Sequence, residues 1–305
     1  MTLALLFPGQ GSQVVGMGRA LAETYSAAAA VLAEADEVLG LPLFRLMAQG
    51  PEEELTATKN AQPAILAHSV AVLRVLQDRL GPVAMAAGHS LGEFSALVAA
   101  GALSFRDALE VVRLRGEMMY AAGQLRPGTM AAVLGLEDEA LEDACARVDA
   151  GICVPANFNS SGQIVVSGDL AGVEQGGALF IAAGAKRVVP LPVSGAFHSP
   201  LMEPAVRGLR EKLELVSFRD PAFPVFSNVT AGPVTSGARA RELLVAQLTS
   251  PVRWATSVAA MVAAGADRFL ELGPGSVLCG LNKRNAKGFP CTSLGEPADI
   301  DSFQG

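Results

Sequence analysis

Short apolar runs alternate with amphipathic stretches along most of the chain, and that alternation predicts an α/β architecture. Residues 3–7 carry no polar side chain and read as a buried strand that ends at Pro8-Gly9. Leu21, Tyr25, Leu32 and Leu39 keep helical spacing, and Gly40 supplies a stop. A helix is expected over about 64–79, a strand over 83–87 and a helix over 93–100. Further on, 225–227 and 268–272 read as strands, the last followed by Gly273-Pro274-Gly275 and another helix.

The middle of the chain has a different rhythm: strand 130–136, helix 137–148, strands 152–158 and 163–167, helix 170–183, strand 186–193. That order, βαββαβ, predicts a ferredoxin-like subdomain over 127–194. It would be inserted into a discontinuous α/β-hydrolase-like catalytic domain with a parallel sheet, 1–126 and 195–305. Pro127-Gly128 and the Pro190/Pro192 region mark hinges, and the cleft between the two units is the expected binding site.

Of 305 residues, 50% are hydrophobic and 17% charged, which excludes a disordered chain. Asn, Ser, Gly and Pro interrupt the uncharged stretches, so no membrane span is expected. Residues 1–4 carry no basic side chain and Pro8-Gly9 breaks the first apolar run, so no signal peptide is evident and a cytoplasmic protein is expected. Cys145, Cys153, Cys279 and Cys291 show no Cys-x-x-Cys spacing and read as scattered free thiols. A net charge of −7 argues against nucleic acid as a partner. Neither Gly9-Gln10-Gly11 nor Gly273-Pro274-Gly275 completes Gly-x-Gly-x-x-Gly, and no Walker-type loop occurs, so a nucleotide cofactor is unsupported.

Gly88-His89-Ser90-Leu91-Gly92 carries the strongest chemical signal. Alone, Gly-x-Ser-x-Gly is often chance. A strand before it and a helix after it make a nucleophile turn, with the helix N-terminus aimed where an oxyanion would form. Only three histidines are available as base. His89 adjoins the serine and should leave the turn in another direction; His68 lies within a predicted helix and reads as a packed or surface residue. His198 stands just before a helix that Ser199 can cap and Pro200 can open, with Met202, Val206, Leu209 and Leu213 as its apolar face. It is the best candidate base. No acidic residue has a claim to orient it: Asp267 and Glu271 are candidates that no spacing singles out, so a Ser-His dyad held by a backbone carbonyl is expected. An arginine facing the cleft would anchor a substrate carboxylate through its planar fork, but the sequence leaves open which of Arg113 and Arg115 faces in.

Together with Phe7-Pro8-Gly9-Gln10-Gly11-Ser12-Gln13, Leu114-Arg115-Gly116, Asn157-Phe158-Asn159-Ser160, Gly195-Ala196-Phe197-His198-Ser199, Gln247-Leu248, Pro251-Val252 and Glu271 to Gly275, the serine motif resembles the malonyl-CoA:acyl carrier protein transacylase family. The likeness runs in order over nearly the whole chain and fades after about Lys287. It implies Ser90 as the acylated nucleophile and His198 as its base. It further implies an oxyanion hole from the backbone of Gln10 and Leu91, Arg115 on the malonyl carboxylate, and Gln247 beside the catalytic pair. Asn159 would face the cleft, and Phe197 would crowd the donor α-carbon against methylmalonyl. Malonyl-CoA, CoA and acyl carrier protein are the implied partners, CoA being a substrate; no resident cofactor or metal is implied, and a monomer is expected. An acidic carrier would need a local basic patch, for which Lys186-Arg187 and Lys283-Arg284 with Lys287 are the densest clusters. A serine esterase uses the same turn but has no use for a carboxylate anchor.

Overall fold

The computed structural model describes residues 2–304. The strands, numbered in chain order, are β1 (Leu3–Phe7), β2 (Val83–Gly88), β3 (Thr129–Leu134), β4 (Cys153–Ser160) and β5 (Gln163–Gly168). They continue with β6 (Arg187–Pro190), β7 (Val225–Phe226), β8 (Pro233–Val234), β9 (Arg268–Leu272) and β10 (Cys291–Leu294). Six form one sheet in the order β10-β9-β1-β2-β7-β8, parallel except at the β7–β8 edge. β1 is buried along its whole length because layers cover both faces. Leu3, Leu5 and Phe7 pack with the helices Ser26–Leu39, Thr58–Leu76 and Phe105–Leu125, while Ala4 and Leu6 meet Trp254, Val258, Phe269 and Leu278. Side chains that alternate across a strand require apolar residues at every position when both faces are dry.

The other four strands form a separate antiparallel sheet, β4-β5-β3-β6, packed on the helices Asp138–Ala146 and Leu170–Ala182 through Val133, Ile164, Val166 and Phe180. Through this region the elements run strand, helix, strand, strand, helix, strand. Backbone bonds join it to the rest: Phe158 N donates to Val252 O at 2.9 Å and Val252 N to Ala156 O at 2.8 Å.

Three expectations change. The helix expected from Leu21 to Leu39 is two helices, Arg19–Thr24 and Ser26–Leu39. Tyr25 between them is extended, and its hydroxyl donates to Asp301 Oδ1 at 2.6 Å. The helix expected to start near 64 starts at Thr58 and runs through Pro63. Proline lacks the N–H that would bond the carbonyl of Lys59, and Arg113 Nη1 donates to that oxygen at 3.2 Å instead. Cys279 and Cys291, expected as free thiols, are joined in a disulfide, because the helix Val277–Asn285 and the edge strand β10 bring their Cα atoms to 5.3 Å. Cys145 and Cys153 are free.

Candidate active site

Ser90 lies between β2 and the helix Gly92–Ala99 with φ 50°, a conformation that costs an L-residue about 1–2 kcal/mol. Surrounding bonds hold it there: Ser90 N donates to Asn228 Oδ1 at 2.7 Å, and Asn228 Nδ2 donates to Gly88 O at 2.7 Å. A Cβ on Gly88 would overlap the backbone of Gly92, and one on Gly92 would overlap the Phe7 carbonyl. Both glycines are therefore required for the turn to close against β1.

His198 is also left-handed, φ 56°, and precedes the 3-10 turn Pro200–Met202, where Ser199 Oγ accepts from Leu201 N. Its Nε2 lies 2.8 Å from Ser90 Oγ and its Nδ1 2.8 Å from Gln247 O. A carbonyl oxygen only accepts, so Nδ1 carries the proton and the Nε2 lone pair faces the serine hydroxyl. Burial, and then the charge of Arg115, push the imidazole down to about 3. The ring is neutral at pH 7 and free to take a proton. Asp267 and Glu271 are engaged elsewhere: Asp267 accepts from Thr2 N, and Glu271 from Leu278 N and Cys279 N.

Residues two apart on a helix point about 200° apart, and only one of the two arginines reaches the serine. Arg113 turns outward to Glu117, Asn60 and the Lys59 carbonyl. Arg115 is 1% exposed; its Nη1 donates to Gln62 Oε1 at 2.6 Å, and its Nη2 to Gln247 Oε1 at 2.9 Å and Ser90 Oγ at 3.1 Å. Gly116 permits this, since a Cβ there would strike the backbone of Lys59 and push the two helices apart. Burial pulls the Arg115 guanidinium down to about 10, still charged at neutral pH. Its hydrogen-bond partners are neutral, Nε has none, and no ion pair among the described residues includes it. A buried cation of this kind beside a cleft is able to pair with an anion that enters it.

The cleft holds roughly 270 Å³ and is lined by Gln10, Ser90, Leu91, Arg115, Met119, Met130, Asn157, Leu191, Phe197 and His198. It opens between the two sheets. The backbone N–H groups of Gln10 and Leu91 have no protein acceptor among the described residues. Asn159, expected to face the cleft, turns its Oδ1 to His89 Nε2 at 2.8 Å, and Asn157 lines the cleft instead; a register shift between Phe158 and Ser160 breaks the alternation that would align them. His68 is fully buried and lowered to about 4 by burial. Lys186, Arg187, Lys283 and Arg284 are exposed, although Arg284 Nη1 also donates to Ser160 Oγ and Gln163 Oε1. No group of three or more His, Cys, Asp and Glu among the described residues is arranged to hold a metal ion.

Three residues escape a reading of the sequence: Gln62, Asn228 and Glu93. Glu93 is 3% exposed, and its Oε2 accepts from Gln247 Nε2 at 2.7 Å and Asn228 N at 3.1 Å. Burial raises its carboxyl to about 7, against the pull of those bonds and of Arg115. A lone charge in the otherwise uncharged stretch Gly92–Ala99 was the available signal.

A strained serine at a strand-to-helix turn, with a neutral histidine on its hydroxyl, defines the chemistry of a serine acyl-transfer enzyme of mixed α/β fold. The chain belongs to the acyl transferase domain family, which it matches over residues 4–297. It is 46% identical over 301 residues to the malonyl CoA-acyl carrier protein transacylase of Bacillus subtilis, covering 98% of this chain and 95% of that one. It is 46% identical over 297 residues to the protein of the same name from Escherichia coli K12, covering 97% and 96%. Among solved structures it is similar to an acyl carrier protein S-malonyltransferase from Vibrio cholerae, with TM-score 0.95, 45% identity and 99% of each chain covered. It is also similar to a chain from the complex of a type II PKS acyl-carrier protein with its malonyl-transacylase, with TM-score 0.95, 43% identity, and 100% and 99% coverage.

Proposed function

We propose that this protein moves the malonyl group from malonyl-CoA to the phosphopantetheine thiol of acyl carrier protein through a malonyl-Ser90 ester, supplying fatty acid or polyketide synthesis. The observation that carries this reading is the convergence on Ser90 Oγ of His198 Nε2 at 2.8 Å and Arg115 Nη2 at 3.1 Å. His198 takes the Ser90 proton as Oγ attacks the thioester carbonyl, and the N–H groups of Gln10 and Leu91 hold the oxyanion. The C–S bond breaks, and CoA leaves with the proton from His198. The carrier thiol then attacks the ester, His198 again passing the proton, so the two half-reactions alternate.

Arg115 pairs with the malonyl carboxylate, its buried charge favouring a donor with an anion at that distance. Gln247 holds His198 through its carbonyl and Arg115 through its amide. Phe197 bounds the donor α-carbon, and Asn159 acts through His89. The chain divides into an α/β-hydrolase-like catalytic domain, 1–126 and 195–305, and a ferredoxin-like subdomain, 127–194. The reading invokes no resident cofactor and takes the protein as a cytoplasmic monomer; among the described residues no helix is long and apolar enough to cross a membrane.

Intact-mass measurement after mixing with malonyl-CoA tests the reading. A single malonyl adduct is expected on the wild type, lost on adding holo carrier protein and absent in Ser90→Ala. An adduct on Ser90→Ala at the wild-type level would sink it. Carrier docking engages Lys186 and Arg187, with Lys283 and Arg284 as a second patch, because an acidic carrier and a chain of net charge −7 repel at long range. Reversing both charges at 186 and 187 is expected to raise KM for carrier protein and spare acylation by malonyl-CoA. Equal losses in the two half-reactions would remove the docking assignment.

A further inference from the structure

Gln247 is wholly buried, and its amide lies between groups of opposite hydrogen-bonding character. On one side Arg115 offers only donors, and its Nη2 meets Gln247 Oε1 at 2.9 Å. On the other side Gln247 Nε2 donates to Glu93 Oε2 at 2.7 Å and to Ser90 O at 3.1 Å. Turning the amide over would set its NH2 against the guanidinium and its oxygen against the carboxylate, so only one orientation satisfies both ends. The same Glu93 oxygen accepts from Asn228 N, and the Asn228 side chain holds Ser90 N. We propose that Glu93 is the positioning residue that fixes the Gln247 amide, so that its Oε1 steadies Arg115 for the carboxylate of the acyl donor.

The arrangement has a chemical logic that a direct ion pair lacks. A carboxylate in contact with Arg115 would occupy the fork that the substrate needs. Glu93 acts from one amide away, so the guanidinium is held by the neutral oxygens of Gln62, Gln247 and Ser90 and its fork is not taken by an acid. Released from Glu93, the amide nitrogen keeps only its longer bonds, to Ser90 O at 3.1 Å and Asn228 Oδ1 at 3.3 Å, and Arg115 loses the firm placement of Oε1 on the side that faces Ser90.

This proposal rests on the malonyl-transfer reading, and the test separates the two. Wild type, Glu93→Gln, Glu93→Met and Glu93→Asp are compared for kcat/KM with malonyl-CoA and with acetyl-CoA. Absence of malonyl-Ser90 on the wild type counts against the reading itself, whatever the variants do. Glu93→Met is expected to lower the malonyl-to-acetyl ratio about tenfold or more, the scale of losing a buried bond that holds a charged group. Glu93→Gln keeps an acceptor oxygen and is expected to hold the ratio within about threefold of wild type. If Glu93→Met depresses both donors equally, the residue only supports the fold and the proposal is overturned. A Glu93→Gln ratio as low as that of Glu93→Met overturns it as well, since charge rather than amide orientation would then be at work. Should Glu93→Met fail to fold, Glu93→Asp draws the carboxylate back by one methylene and is expected to lower the ratio in the same direction; an unmoved ratio there overturns the proposal.

Discussion

The helices Gly92–Ala99 and Val277–Asn285 both start just beyond the C-terminal ends of strands that flank β1, namely β2 and β9. At the second start the buried carboxylate of Glu271 accepts from Leu278 N at 3.0 Å and from Cys279 N at 2.8 Å. At the first, a carboxylate is equally at hand in Glu93, yet it bonds Gln247 and Asn228, and the N–H of Leu91 on the cleft wall has no acceptor among the described residues. Helix starts leave donors that buried structure normally satisfies. The filled start is a structural joint; at the other, Gly92, Glu93 and Phe94 N donate to the carbonyls of His89, Ser90 and Leu91, and the unpaired donor is Leu91 N, which the proposed reaction assigns to the oxyanion.

The comparison breaks most sharply at Arg115. For malonyl transfer, Arg115→Ala is expected to cost about 3–5 kcal/mol in kcat/KM and shift preference toward acetyl-CoA, because a desolvated carboxylate loses its partner. Arg113→Ala should leave the donor ratio alone and lower stability through the freed Lys59 carbonyl. The reverse pattern would mean that Arg113, not Arg115, anchors the donor carboxylate.

At the filled start, Glu271→Ala should lower stability by about 1–3 kcal/mol, the cost of stranding buried donors. Its kcat/KM per folded molecule should stay near wild type. Thermal melts and active-site titration measure the two, and a specific loss of acylation would erase the distinction between the starts.

The smallest effect is in pH. His68 and His198 are lowered to about 4 and about 3 by burial, so they bind protons when the chain unfolds, and they make stability rise with pH up to about 6.5. Burial raises Glu93 and Glu271 to about 7, so they release protons on unfolding, and they make stability fall as pH rises from about 4.5 to 7. The slopes oppose each other between about pH 4.5 and 6.5. Glu271→Gln removes one falling contribution, and its stability should climb more steeply there, by up to about 1.4 kcal/mol per pH unit, in urea titrations at three pH values. A slope equal to wild type would mean Glu271 is ionised in the folded protein.

The serine turn, the strand-helix rhythm of 129–190 and the strands other than the sheet edges β8 and β10 were legible because periodicity and punctuation are local. The choice between Arg113 and Arg115 was not, since it depends on which face of Phe105–Leu125 meets Thr58–Leu76, and Gly116 signals a close approach without naming the partner. Asn228 is 138 positions from Ser90 and meets it only because β7 pairs with β2. The disulfide was hidden for a related reason: Cys279 and Cys291 lie 12 apart in sequence on a helix and an edge strand that only the packed sheet brings together.

The bonds between β4 and Val252 give the cleft the mechanics of a book with a stitched spine. Phe158 and Ala156 on one board and Val252 on the other share backbone hydrogen bonds, and such a seam resists stretching far more than it resists bending. For any small rotation about it, displacement grows with distance from the spine. Gln247 stands five residues before Val252 in the chain, and its carbonyl accepts from His198 Nδ1 at 2.8 Å. The seam therefore ties the small sheet to the same stretch of chain that holds His198, so the spine and the catalytic contact share one support.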